Sequence, residues 1–83
     1  MDHFVYMIKT INSKVNKTYV GYTNKLESRL SKHNSKSGAK STRGHKWIII
    51  YKKKFASKSK AMSFEYKLKK DRLKRKKILN SIK

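Results

Sequence analysis

The sequence predicts an α+β fold: a small antiparallel three-stranded sheet flanked by helices, in the order β-β-α-β-α. Three observations predict it. Residues 4–8 and 18–22 are short runs of β-branched and aromatic residues on either side of a polar loop. Residues 47–51, Trp-Ile-Ile-Ile-Tyr, form a third such run. A helical pattern follows the second run and another follows the third.

Taken in order, Phe4, Val5, Tyr6, Met7 and Ile8 read as a strand that is apolar on both faces. Residues 9–17 carry Asn12, Ser13, Asn16 and several lysines, a hairpin-type loop that sets the second strand antiparallel to the first. In that second strand Tyr19 and Gly21 share one face and Val20 and Tyr22 the other. Asn24 is placed to cap a helix, with Glu27 three residues on completing a capping-box pattern. The helix ends near Asn34, and Leu26, Arg29, Leu30 and His33 fall on one face of it. Residues 35–46 form a basic loop with Gly38 and Gly44 and no phosphate-loop spacing. The third strand is apolar throughout, which predicts a central place in the sheet. After the lysine triplet 52–54, Ser57 or Ser59 starts a long helix that runs to about Leu79. Ala61, Phe64, Leu68 and Arg72 share its inner face, and Glu65 sits on the margin of that face.

At 83 residues the chain predicts one domain near the lower size limit for an independent core, with a basic C-terminal stretch over 67–83. It has no cysteine, which excludes disulfides and cysteine-based zinc sites. Lys+Arg number 24 against 4 Asp+Glu, a formal net charge of +20. A field of that size favours a polyanionic partner. Nucleic acid leads, because neutralised phosphates release counterions and supply affinity without base reading. A membrane surface is the rival, but no strongly amphipathic helix or lipidation signal supports it. No secretory signal pattern is present and the purest apolar run is five residues long, so a soluble cytoplasmic protein is expected.

Several residues have both a bland and a chemical reading. Glu65 could pair with Lys69 one turn on, or hold a metal together with substrate phosphates. Arg29 could be a solvated charge, or a clamp on a phosphate. His33 could be structural, or shuttle a proton. Tyr6 and Tyr19 could be packing residues, or cation-activated bases. Gly21 inside a strand marks a close backbone approach or a bulge.

Phe4-Val5-Tyr6, then Tyr19-Val20-Gly21, then Arg29, then Glu65 on a later helix is an ordered set that resembles the GIY-YIG endonuclease superfamily. Residues 20–34, 38–44 and 61–70 support the likeness, which is greatest to the stand-alone, single-domain bacterial branch. The resemblance implies hydrolysis of DNA phosphodiesters with one divalent metal, Mg²⁺ or Mn²⁺. By the same resemblance, Tyr19 would act as or support the general base, and Tyr6 would orient water or phosphate. Arg29 would stabilise the transition state, His33 would assist proton transfer, and Glu65 would hold the metal. The chain departs from the pattern at Phe4 and Val5, and at Tyr22, where some relatives have lysine. The asparagine that some branches carry near the metal has no counterpart, since Asn80 lies in the tail.

No separate DNA-recognition domain is legible. DNA binding would then fall to the loop residues Lys36, Lys40, Arg43 and Lys46 and to Lys67, Lys69, Lys70 and Arg72 of the last helix, or to a protein partner. Such contacts position phosphates and carry little base information, so preference for DNA structure is expected over preference for sequence. The alternative is a non-catalytic basic nucleic-acid-binding module.

Overall fold

The computed structural model describes residues 2–11, 16–35 and 45–81. Among them the order is β1 (His3–Ile11), β2 (Thr18–Thr23), α1 (Leu26–Asn34), β3 (Lys46–Phe55), α2 (Lys58–Lys70) and α3 (Arg72–Asn80). The strands form one antiparallel sheet in the order β2-β1-β3. The predicted α+β class and the start of the predicted element order are found in the structure.

The two-residue period of β1 sends its side chains into two cores on opposite faces of the sheet. Val5 and Met7 join Val20, Ala61, Leu68 and Ile78 on the face covered by α2 and α3. Tyr6 and Ile8 join Trp47 on the other face, with Tyr19, Leu26, Leu30 and Ile49 packed against them from β2, α1 and β3. Full burial of a side chain such as Leu68 is worth roughly 1.5–3 kcal/mol.

Three local expectations are corrected. The first concerns β3, which lies at the sheet edge while β1 is central. Its unbroken apolar run has another cause. The register shifts opposite Met7/Ile8, where Met7 faces Tyr51 and Ile8 faces Ile49, leaving Ile50 as an extra residue. The shift lets Ile50 and Tyr51 both pack toward α2 and α3 while Ile49 packs toward α1.

The second is the expected continuous helix, which breaks at Asp71. An unbroken helix of that length would run about 33 Å past the sheet. Asp71 leaves helical geometry instead (φ −90°, ψ 85°), and its Oδ1 accepts from the Lys74 amide at 3.0 Å, capping α3. The break exposes Arg72, expected on the inner face, and returns Ile78 to the core. Asp71→Ala is expected to cost about 1 kcal/mol. That corresponds to a melting temperature lower by about 4–8 °C in a thermal unfolding scan, with Asp71→Asn closer to the parent. The other end of this helix pair follows expectation, since Ser57 Oγ accepts from the Lys60 amide at 3.2 Å.

The third is the cap of α1. Lys25 occupies the N-cap position and makes no side-chain cap bond. Thr23, at the end of β2, turns the chain: its Oγ1 accepts from the Lys25 amide at 3.0 Å. At the far end Asn34 clamps α1 to β3. Its Oδ1 accepts from the Trp47 amide at 2.6 Å and its Nδ2 donates to the Trp47 carbonyl at 3.2 Å. That clamp fixes the last turn of α1, which carries His33.

Candidate active site

Tyr6 is the buried centre of the polar cluster between β1, β2 and α1. It is 1% exposed, with its hydroxyl directed toward α1. The ladder places Gly21 directly opposite it. A methyl carbon on Gly21 would lie 2.6 Å from Tyr6 Cζ, 3.0 Å from Tyr19 Cε2 and in collision with the Tyr6 hydroxyl. The strand glycine therefore makes room for two tyrosines, the close approach that its place in a strand implies.

Two residues of α1, one turn apart, meet the Tyr6 hydroxyl. Arg29 Nε donates to it at 3.3 Å, and His33 Nε2 lies 2.8 Å away. The Tyr19 ring packs on the same histidine with centroids 5.0 Å apart, and Tyr19 helps to hold the Arg29 guanidinium in its charged form. Glu65, on α2, acts on the cluster through its charge.

Burial is the main reason the Tyr6 pKa lies above its ordinary 10.0. The Arg29 bond and charge oppose that rise, while Tyr19 and Glu65 add to it. Hydrogen bonding to Tyr6 holds Arg29 more firmly in its charged form. His33 is shifted the other way: burial first, then the Arg29 charge, lower its pKa below 6.5. At neutral pH the set is a protonated tyrosine and a neutral imidazole, with a fixed guanidinium beside them. This allows a directed chain, with Arg29 Nε–H donating to the Tyr6 oxygen and the Tyr6 O–H donating to His33 Nε2.

The lowered His33 pKa has a consequence for stability. The unfolded chain binds a proton near pH 6.5 while the folded one resists it, so the stabilising effect is present above that value. It is lost as pH falls from about 6.5 through the folded-state pKa. Denaturant unfolding at pH 7.5 and 5.5 should show a larger acid loss in the parent than in His33→Gln.

Glu65 makes the contact expected of its bland reading as well. Lys69 Nζ lies 3.6 Å from its Oε1, with the Glu65 side chain 13% and Lys69 50% exposed. Among the described residues no group of three or more His, Cys, Asp or Glu side chains assembles to hold a metal. A single carboxylate in electrostatic reach of the Arg29–Tyr6 cluster nevertheless fits Mg²⁺ or Mn²⁺, hard cations commonly held by one or two carboxylates with water and phosphate. It does not fit zinc, which takes three or four protein ligands.

Tyr6, Tyr19, Arg29 and His33 therefore come into contact, with Glu65 in electrostatic reach. The expected DNA-binding residues are more scattered. Lys36, Lys40 and Arg43 lie outside the described residues. Lys46 is exposed at the start of β3, and Lys67, Lys70 and Arg72 are exposed on α2 and α3. Lys69 is engaged with Glu65.

Other cations escaped the sequence reading. An open cleft of about 510 Å³ beside Arg29 is lined by His3, Tyr22, Lys25, Lys32 and Lys58, among others. Helical spacing from Lys25 through Arg29 to Lys32 was the available signal. Nothing local pointed to Lys58, which comes from the start of α2. Asn34 was also missed, because its partner lies across a loop.

The chain is similar in sequence and fold to other proteins. A UPF0213 protein of Oceanobacillus iheyensis is 44% identical over 69 residues, 82% of this chain and 77% of that one. The UPF0213 protein YazA of Bacillus subtilis is 38% identical over 78 residues, 93% of this chain and 76% of that one. The solution NMR structure of a UPF0213 protein from Bacillus halodurans aligns with 99% of this chain and 86% of its own, with a TM-score of 0.57 at 34% identity. Residues 2–78 match the GIY-YIG catalytic domain, a span that takes in both tyrosines, Gly21, Arg29, His33 and Glu65. By fold, motif order and sequence, the chain belongs to the GIY-YIG catalytic domain family.

Proposed function

We propose that this protein is a metal-dependent DNA endonuclease that hydrolyses phosphodiester bonds, selects for DNA structure, and acts in repair or recombination in the cytoplasm. The observation that carries the reading is the meeting of Arg29, Tyr6 and His33 in one hydrogen-bonded chain beside Tyr19. Nothing in core packing requires a guanidinium, an imidazole and two phenols at one point.

Each residue then has a role that its position allows. Arg29 spends one of its five N–H donors on Tyr6 and keeps others for phosphate oxygens, where charge builds in the transition state. Tyr19, half-buried, is the more accessible phenol and orients the attacking water or accepts its proton. Tyr6 relays a proton to the neutral imidazole of His33. Glu65 is the residue that would hold Mg²⁺ or Mn²⁺, which when bound polarises the scissile phosphate and stabilises the leaving oxygen. The charge of +20 supplies binding without base reading, with any added specificity left to a protein partner.

The reading is tested with flap, fork, four-way-junction and plain duplex DNA, each with Mg²⁺, Mn²⁺ or EDTA. Metal-dependent product, greater on branched than on plain duplex DNA, is the expected result. Steeply salt-dependent binding with no product at any enzyme excess would establish the non-catalytic module instead.

A further inference from the structure

Tyr22 and His3 stand on neighbouring strands at the end of the sheet, outside the cluster around Tyr6. His3 Nδ1 and the Tyr22 hydroxyl are 2.6 Å apart. The two rings are nearly parallel, 17° apart, and offset, with centroids separated by 5.9 Å. Both residues are half-buried and both line the open cleft beside Arg29, which puts aromatic side chains on its wall. Arg29 and Lys32 contribute to that cleft from α1, Lys25 from its N-cap position and Lys58 from α2, and among the described residues no acidic one lines it. Cations on two walls call for an anionic occupant. Aromatic rings between them call for one with a flat, stackable part. A strand with exposed bases has both features.

We propose that this cleft binds an unpaired nucleotide of a DNA strand, its base stacked on the Tyr22–His3 pair and its phosphates held by Lys25, Lys32 and Lys58. Arg29 lines this cleft and also bonds Tyr6, so the bound nucleotide lies next to the phosphate to be cut. Only that last point rests on the nuclease reading. The nucleotide must be unpaired because both faces of a base inside a duplex are already stacked on its neighbours. Branched DNA offers such nucleotides at its junctions, and this gives structure preference a physical basis.

The test is binding by the full chain in EDTA, so that cleavage plays no part. Fluorescence anisotropy at one fixed salt concentration compares three probes: a dodecathymidine strand, an abasic strand with the same number of phosphates, and a duplex of the same length. The parent protein should bind dodecathymidine about tenfold more tightly than the abasic strand, since one stacked base is worth that much. It should also prefer dodecathymidine to the duplex. Tyr22→Ala should abolish the preference over the abasic strand, and Tyr22→Phe should retain it. Lys32→Ala should weaken the two single strands alike.

Equal affinity of the parent for the thymidine and abasic strands would overturn the proposal, as would tighter binding of the duplex. These parent measurements decide even if Tyr22→Ala fails to fold. A preference in EDTA alongside absent cleavage in Mg²⁺ would refute the nuclease reading alone; cleavage without the preference would refute the cleft alone.

Discussion

Glu65→Ala is expected to remove Mg²⁺- or Mn²⁺-dependent cleavage and leave DNA binding within about twofold of the parent, since affinity resides in phosphate neutralisation. Under the proposed metal role of Glu65, its loss should cost several kcal/mol of transition-state stabilisation. That is about a thousandfold in rate or more. Loss of fold cannot account for an effect of that size. The contact broken is a half-exposed i,i+4 pair with Lys69, worth about 0.3–0.5 kcal/mol. Binding need not weaken either, because the substitution removes one of 4 acids from a chain of net charge +20. A rate within tenfold of the parent, with the same metal requirement, would sink the assignment. Lys69→Met is a useful companion: it frees the carboxylate without removing it and should leave cleavage intact.

Gly21→Ala should be nearly as damaging, for a steric reason. The added methyl has no space, since Tyr6 and Tyr19 already occupy it. The obstructing hydroxyl ends a side chain, which in the open could swing aside. Here it is buried and tied to both Arg29 and His33. Either the ring leaves its pocket or the strands part. Overpacking of this kind costs about 1–3 kcal/mol. The expected melting temperature is lower by roughly 4–8 °C per kcal/mol, with cleavage lost wherever Tyr6 is displaced. Tyr6→Phe separates the two effects, since it keeps the ring and removes the hydroxyl. It should stay folded and lose the link between Arg29 and His33. A Gly21→Ala protein with parental stability and cleavage would show that this close approach carries no weight.

Much of the site was legible before any coordinates. Tyr19, Gly21, Arg29 and His33 lie within fifteen residues, so strand alternation and helical spacing were enough to put them on the right faces. Asn24 looked like the helix cap, but Thr23 took the turn and Lys25 the cap position. One residue's shift at a helix start changes nothing in the inward face, and Arg29 and His33 still meet Tyr6. The apolar run 47–51 suggested a central strand, whereas burial there comes from an irregular register beside β1. A run of isoleucines reports burial on two sides and does not report sheet order. The break at Asp71 was similarly ambiguous. The helical period continues through it, and only the demands of the core choose a cap over another helical turn.

The chain's own order of residues determined the element types, the two faces of β1 and β2 and the inward face of α1. Those features depend on neighbours two to four positions away, which local backbone geometry fixes. It also determined the excess of cations, since charge needs only counting. Tertiary structure decided the rest: that β1 is central, that Tyr6 lies across Gly21, and that Tyr6 joins Arg29 and His33. It likewise joined His3 to Tyr22 and Asn34 to Trp47. Those partners stand 13 to 27 residues apart. Their meeting depends on strand order and register, set by the packing of two cores against one sheet and by no local preference of the residues concerned.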